Sequence, residues 1–412
     1  MKSLAQMDSI QRSSTSCKRQ VNRGILDLPH EMISEILCRL PTESILICRV
    51  VCKIWCAITR DPCFINTLGN SHYQPTRLIL RPLHWMCMSG PALAGFLDHR
   101  APNYQPPPNY LALLDMENQK TRRIPLEDMF RGLQIMCSCN GFLCMAPAKE
   151  LDPVVIYNPI TRDRLILPPS TSKFAAPSRS KFAVLHHQVG LGFDASTSTY
   201  KVVRAYTGFR SRRKGRRFEI ISLGESLWRE LTAPQRIVNR DGLGVVFLSG
   251  ALYWTMSKGT SSIFVQFDLT NEKFQLISFP RNFYARHAFM GLIEIGGIVT
   301  LLQGDAGIVR LWRIRDGGGE DELSFQYYKL YDTHVKWGDA LKCEFIRQID
   351  EESFFLQVGY RNSEGDLKEH LTQYFPDKQQ YLDLNLRRLP YSFKALNFKP
   401  SLLPVPKLCP SE

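Results

Sequence analysis

Between Pro29 and Pro41 the apolar side chains Ile33, Ile36, Leu37 and Leu40 fall at i, i+3, i+4 and i+7, the spacing of one stripe along an α-helix. Proline lacks the N–H that a helix interior needs, so this helix starts after Pro29 and stops at Pro41. Cys48, Val51, Cys52, Trp55 and Cys56 repeat the spacing on a second stretch. Asp61-Pro62 closes it, because the residue before a proline avoids the helical region. The pattern predicts two short amphipathic helices between Leu28 and Phe64. So small a unit cannot bury both stripes by itself. It either docks on its own chain or offers an apolar face to another protein.

Beyond Phe64 the helical period vanishes. Short runs of Val, Ile, Leu, Phe and Tyr follow, punctuated by Gly, Pro, Asn and Asp, the pattern of many short strands. One phrase recurs: an apolar strand, a small polar turn, a second strand and often a proline. It occurs at Tyr110 to Leu126, Val154 to Pro169, Phe218 to Leu231, Ile263 to Pro280, Leu311 to Leu330 and Leu371 to Leu384. Taking Asp115, Asn158, Ser222, Asp268, Ile314 and Tyr374 as landmarks, the steps are 43, 64, 46, 46 and 60 residues. Their mean of about 52 is near the period of roughly 50 expected for kelch propeller blades. Further strands are expected at Gln134 to Cys144, Val189 to Phe193, Gly244 to Tyr253 and Gly291 to Leu302. Arg77 to Leu80 is expected to close the ring by pairing with a strand from Phe393 to Leu403. The expected fold is an α+β multidomain chain, a small all-α module followed by an all-β, kelch-like six-bladed propeller. A β-sandwich is the competing architecture, and the regular period weighs against it.

Composition adds limits. The 412 residues leave room for the module and one large domain, and 44% hydrophobic with 22% charged residues is globular. The longest apolar run, Gly291 to Leu302, is too short for a membrane span and contains Glu294. The first 23 residues have no apolar core of a secretory signal and read as a disordered basic tail. The net charge of +13 is concentrated. Lys2, Arg12, Lys18, Arg19 and Arg23 against Asp8, with eight cations and no acid between residues 195 and 218, account for 12 of the 13 charges. That is two local patches, not a basic binding surface spread over a fold. The twelve cysteines show no paired CxxC spacing, and reduced thiols are the default. Cys48, Cys52 and Cys56 share a helix face at i, i+4 and i+8, a spacing that could in principle hold a soft metal. No histidine joins them there, so no metal and no cofactor is expected.

The motifs of catalysis are incomplete or absent. His30-Glu31 opens like a zinc-protease helix but lacks the second histidine, and Gly242-Leu243-Gly244 meets Phe247 where a third glycine belongs. His186-His187 has no acidic neighbour in sequence. No GxSxG elbow and no phosphate loop occurs, so the chain is expected not to be an enzyme. The sharpest polar feature is the cluster Arg210, Arg212, Arg213, Lys214, Arg216 and Arg217. It reads as a solvated loop, a nuclear-import signal, or a contact for nucleic acid or an acidic partner. It contains no aromatic residue to stack on bases, which makes nucleic acid the weakest of these.

Two resemblances add to this. Leu28-Pro29, Ile36-Leu37, Leu40-Pro41, Val51 to Trp55 and Asp61-Pro62 with Phe64 resemble an F-box in order and spacing. Ile47 departs from the basic residue that plant members often carry. Ser138 to Cys144, Tyr157 to Arg162, Gly192 to Arg204, Phe247 to Trp254 and Phe267 to Phe274 resemble, as an ordered series, the F-box-associated domain of plant F-box proteins. The resemblance implies docking on the Skp-type adaptor of a cullin–RING ubiquitin ligase and capture of an unknown substrate protein by the propeller. It implies no transfer chemistry in this chain. The adaptor contacts it implies are Leu28, Pro29, Ile36, Leu40, Leu46, Val51, Cys52 and Trp55. The implied layout is a tail over 1–23, the F-box over 24–69, the propeller over 70–405 and a tail over 406–412, in a cytoplasmic or nuclear protein without a membrane partner. The rival reading is a propeller that binds carbohydrate or nucleic acid, or serves as a transcriptional cofactor, with an incidental F-box.

Overall fold

A computed structural model of the chain describes residues 28–70, 77–83, 109–116, 118, 120–147, 150–170, 184–208, 217–232, 245–258, 261–278, 289–295, 297–305, 308–316, 323–332, 342–350, 353–361, 367–375, 378, 380–384 and 393–407. The two sequence-predicted helices are four: α1 (His30–Cys38), α2 (Thr42–Cys48), α3 (Lys53–Ile58) and α4 (Pro62–Asn70). Pro29 and Pro41 stand at the N-caps of α1 and α2, where a missing N–H costs nothing. The second stripe is broken between α2 and α3. Val51 lies in the turn and Cys52 is the extended N-cap of α3, its sulfur accepting from the Trp55 N–H at 3.4 Å. Cys48, Cys52 and Cys56 therefore do not share one helix face. Asp61 caps α4 by accepting from the N–H groups of Cys63 and Phe64 at 2.8 and 3.2 Å.

Among the described residues twenty-four strands follow, in six four-stranded antiparallel sheets. Blade 1 begins with β1 (Arg77–Pro82), β2 (Tyr110–Asp115) and β3 (Lys120–Pro125). Blade 2 holds β4 (Leu133–Cys139), β5 (Phe142–Pro147), β6 (Val155–Tyr157) and β7 (Arg164–Ile166), and blade 3 holds β8 (Val184–Asp194), β9 (Thr199–Gly208), β10 (Arg217–Ser222) and β11 (Arg229–Leu231). Blade 4 is β12 (Val246–Leu248), β13 (Ala251–Lys258), β14 (Ser261–Asp268) and β15 (Lys273–Ser278). Blade 5 is β16 (Phe289–Ile295), β17 (Ile298–Asp305), β18 (Ile308–Asp316) and β19 (Leu323–Asp332). Blade 6 is β20 (Lys342–Asp350), β21 (Ser353–Arg361), β22 (Leu367–Phe375) and β23 (Gln380–Asp383). The last strand, β24 (Phe393–Phe398), returns to β1 and completes blade 1, with Arg77 opposite Phe398 and Pro82 opposite Phe393. All six hairpin phrases read from the sequence are the outer pairs of these blades. The first strands touch in turn, β4 to β8 to β12 to β16 to β20 to β24 and back to β4, so the ring is closed.

The landmarks have a physical cause. The carboxylate of Asp115 accepts from the Asn118 N–H at 3.2 Å. The Asn158 side chain accepts from the N–H groups of Ile160 and Thr161 at 2.9 and 3.3 Å, and Asp268 from those of Thr270 and Asn271 at 2.7 and 3.0 Å. Each is an Asx-type turn in which a side chain does the work of a backbone carbonyl between two strands. Asn158 also donates to the carbonyls of Ser401 and Leu403 at 3.0 and 2.9 Å, which fixes the stretch after β24 across blade 2. Gly141 is required there: its φ is +85°, and a Cβ would fall 2.2 Å from that of Ser401.

Polar clusters lock neighbouring blades. Between blades 2 and 3, the fully buried Arg204 holds the Glu219 carboxylate at 2.6 and 2.8 Å, donates to Asp152 at 3.1 Å and lies 3.9 Å over the Trp228 ring. The Trp228 indole N–H donates to the Pro168 carbonyl of blade 2 at 2.7 Å. Between blades 3 and 4, Lys201 joins Asp194 at 3.0 Å to the Leu269 carbonyl at 2.7 Å. Arg81, between blades 1 and 2, donates to the carbonyls of Phe130 and Leu133, and burial with help from Arg131 pulls its pKa down to about 10. The basic stretch of 195–218 is thus only partly a patch. Lys201 and Arg204 are buried in ion pairs, and Arg217, the first residue of β10, lies 3.7 Å from Glu230. Arg210, Arg212, Arg213, Lys214 and Arg216 lie outside the described residues, as do the tails 1–27 and 408–412 and the Gly242-Leu243-Gly244 stretch.

Two outcomes follow. A chain ending at Tyr391 loses β24 and is expected to show no cooperative thermal transition by circular dichroism. A chain ending at Pro400 keeps β24 but loses the burial of Leu402 and Val405, and should fold with stability lower by about 2–5 kcal/mol. Burial pushes the Asp194 carboxyl up, but hydrogen bonds from Ser196, Lys201, Thr197 and Thr270 outweigh it and hold the group well below the usual carboxylate range. Its stabilisation is therefore present at neutral pH and lost as pH falls through that range. Asp194→Asn should cost roughly 3–5 kcal/mol at pH 7 in denaturant titrations, and the gap to wild type should narrow below about pH 4.

Candidate functional site: the outward face of the helical module

The inner stripes of the helices are absorbed by the propeller. Ile33 and Leu37 of α1, Ile45 of α2, Ile58 of α3 and Phe64 and Leu68 of α4 are buried in one continuous cluster with Ile79, Leu111 and Ile124 of blade 1 and Leu143 and Val155 of blade 2. At ~1.5–3 kcal/mol for each such side chain, this shared core holds the module against the propeller. Glu43 of α2 pairs with Arg77 at the start of β1, both largely buried, and Arg77 also approaches Asp115 at 4.0 Å. Arg49, desolvated and pushed down by Arg60, feels the opposing pull of Asp163 in the β6–β7 turn. The module is not a separate unit. It is packed on blades 1 and 2 beside the strand that closes the ring.

What remains outside is strongly apolar. Ile47, Val50 and Val51 are 67, 83 and 59% exposed, and Met32, Ile36 and Ile54 are also exposed. Six large apolar side chains in so short a stretch exceed the scattered exposure normal for a surface, and they mark an interaction face. The sequence-predicted contacts divide between the two sides. Ile36 and Val51 face solvent, and Pro29 is exposed at the start of α1. Leu28, Leu40, Leu46 and Trp55 are half-buried against the shared cluster, and Cys52 is half-buried at its cap position. The Trp55 indole nitrogen is buried without a hydrogen-bond partner among the described residues. Met32, Val50 and Ile54 were missed. Met32 and Ile36 are an i, i+4 pair, and Val50 adjoins Val51, so the signal was present in the sequence.

Among the described residues no three His, Cys, Asp or Glu side chains group as metal ligands would, and no helix is long and apolar enough to cross a membrane. His187 is buried, with Nδ1 3.3 Å from the Pro147 carbonyl, a contact between blades 2 and 3. Cys139 and Cys144 are buried in blade 2; burial raises the Cys139 thiol, and the hydrogen bond with Cys137, with burial added to it, raises that of Cys144. Such thiols are packing groups, not nucleophiles.

Comparison with known proteins agrees with this division. The family described as "F-box domain" matches residues 25–67, and that described as "F-box associated beta propeller domain" matches residues 103–357. F-box protein At3g07870 of Arabidopsis thaliana is 26% identical over 341 residues, covering 74% of this chain and 73% of that protein. F-box protein At3g20690 of the same plant is 24% identical over 347 residues, covering 81% and 82%. Among solved structures, the β-propeller domain of Cps50 (Swd1) from Myceliophteria thermophila aligns with a TM-score of 0.37 at 10% identity, over 66% of this chain and 82% of that one, too distant to carry an argument. With a helical F-box packed on a six-bladed ring and both family matches in register with those two parts, the chain belongs to the F-box proteins that carry an F-box-associated β-propeller.

Proposed function

We propose that this protein is a substrate receptor of a Skp–cullin–F-box ubiquitin ligase. The observation that carries the reading is the apolar face left exposed by α1, the α2–α3 turn and α3, in a module whose other side is already satisfied by the propeller. That face is the docking surface for a Skp-type adaptor and, through it, a cullin. The propeller, of kelch-like period, captures a target protein, in the cytoplasm or nucleus. The receptor contributes proximity, raising the concentration of target lysines near a charged enzyme, and performs no chemistry itself. Leu28, Pro29, Ile36, Leu40, Leu46, Val51, Cys52 and Trp55 belong to the adaptor site in two roles. Ile36, Val51 and Pro29 make contact, while Leu28, Leu40, Leu46, Cys52 and Trp55 shape the surface from beneath. The cluster Arg210 to Arg217 remains a candidate import signal.

The test is a quantitative pull-down with purified Skp-type adaptor. Ile36→Glu with Val51→Glu places two charges on the exposed face and should abolish adaptor binding while leaving the melting temperature within a degree or two of wild type. Trp55→Ala should weaken binding by ~2–4 kcal/mol and also lower the melting temperature, because Trp55 packs on a core shared with blade 1. A wild-type protein that binds no Skp-type adaptor, or a double variant that binds as well as wild type, overturns the reading.

A further inference from the structure

The apolar face of the F-box is centred on a segment poorly able to hold its own shape. Val50 and Val51, both exposed, form the turn between α2 and α3. Both are β-branched, and side chains so exposed bury too little surface to fix a backbone. The turn itself supplies two hydrogen bonds, from the Val50 N–H to the Ile47 carbonyl and from the Val51 N–H to the Cys48 carbonyl, each at 3.1 Å. A short surface segment held by so little opens readily. Its shape nevertheless decides where Ile47, Val50, Val51 and Ile54 point.

A clasp of polar groups closes behind this turn. Arg49 is the C-cap residue of α2, and its guanidinium donates at 2.9 Å to the carbonyl of Thr59, the C-cap residue of α3. A helix leaves its last carbonyls without partners inside it. At the end of α3 those of Ala57 and Ile58 accept from the N–H groups of Arg60 and Asp61, and that of Thr59 takes the arginine. Thr59 is fully buried and donates its hydroxyl to the Trp55 carbonyl at 2.7 Å. The Trp55 N–H bonds the sulfur of Cys52, the residue that follows Val51. The path Arg49–Thr59–Trp55–Cys52 therefore joins the two ends of the Val50–Val51 turn through α3. Arg49 is no ordinary surface charge. Its Nε is buried without a hydrogen-bond partner among the described residues, and desolvation lowers its pKa.

We infer that Arg49 is a positioning residue for adaptor docking: by clasping the C-terminal ends of α2 and α3 together it pre-orders the Val50–Val51 turn, so that the adaptor meets a formed apolar surface. The inference rests on the reading of this face as the site of a Skp-type adaptor. Arg49 acts through the turn and not by touching the adaptor. Without the clasp, ordering the turn becomes a cost of binding, and that cost is subtracted from the affinity. The effect is set by one hydrogen bond from a charged donor, about tenfold in a binding constant.

The test combines titration calorimetry of the full chain with purified Skp-type adaptor and hydrogen–deuterium exchange read by mass spectrometry. Arg49→Met keeps the aliphatic stem and removes the donors. It should weaken adaptor binding about tenfold and speed exchange severalfold in the peptide that carries Val50 and Val51, with α1 unchanged. In the complex of Arg49→Met with the adaptor, protection of that peptide should return to the wild-type level. Leu68→Ala, in the shared core but outside the clasp, should lower the melting temperature and leave both affinity and turn exchange as they are. Should Arg49→Met fail to fold, Thr59→Val removes only the hydroxyl link to Trp55 and should move both readouts in the same direction. Wild-type affinity in the clasp variant, weaker binding without faster exchange, or an equal loss of affinity in Leu68→Ala each overturns the inference while the adaptor reading stands. A wild-type chain that binds no Skp-type adaptor overturns both.

Discussion

Everything in this molecule hangs on the pairing of β24 with β1. The two strands lie at opposite ends of the propeller sequence, and their six-residue register joins Arg77–Pro82 to Phe393–Phe398. A propeller is a ring of sheets that bury only each other's faces, so an open ring would expose two apolar faces at once. The seam is reinforced where blade 6 meets blade 1. The Gln357 side chain donates to the Phe393 carbonyl at 2.6 Å, and the Glu369 carboxylate accepts from the Phe393 N–H at 2.9 Å. Backbone groups of the closing strand thus find buried partners on the neighbouring blade, where an orphaned amide would cost ~1–3 kcal/mol. The stretch after β24 then runs on across blade 2, held by Asn158.

The F-box is attached at this seam. α4 ends at Asn70 and β1 begins at Arg77, so the module enters the ring at the strand that closes it. Its core is continuous with blades 1 and 2, and the Glu43–Arg77 pair sits at the same corner. Because one cluster spans both parts, the face turned outward is fixed relative to the blades by packing and not by a linker. A proximity mechanism benefits from that. A rigid arm holds a captured chain at a set distance, whereas a flexible one dilutes it over a volume that grows with linker length.

The blades were legible because their hairpins obey a local rule. Asp115, Asn158 and Asp268 each end an apolar strand and turn it with their own side chain, so residue type and position in the blade coincide. Closure was legible too, because a propeller closes by building one blade from both ends of the domain, and Arg77 to Leu80 and Phe393 to Leu403 were strand candidates at those two ends. The helical break was not. Cys48, Val51, Cys52, Trp55 and Cys56 keep a helical spacing across a turn, and spacing alone does not see the turn. The adjacent β-branched Val50 and Val51, poor helix formers, were the signal that it was there. β20 and β21 carried no phrase like the others and went unread. The charge pattern misled for a different reason. Lys201 and Arg204 look like part of a basic run, but Arg204 meets Glu219 across the β9–β10 hairpin and Lys201 meets Asp194 in its own blade and Glu272 in the next, partners that a count of charge along the chain does not see.

The same separation explains why the two faces of the F-box could be told apart only in three dimensions. A stripe at i, i+3, i+4 says that a helix has an apolar side, not which body covers it. Here one helix supplies both answers: Ile33 and Leu37 disappear into the propeller while Met32 and Ile36, one position earlier in each case, remain in water. The helix is thus too apolar for a surface element and too exposed for a core one. Leaving such a face wet costs solubility and carries an aggregation hazard, and a chain bears that cost where another protein covers the face in use. The exposed F-box stripe is of this kind.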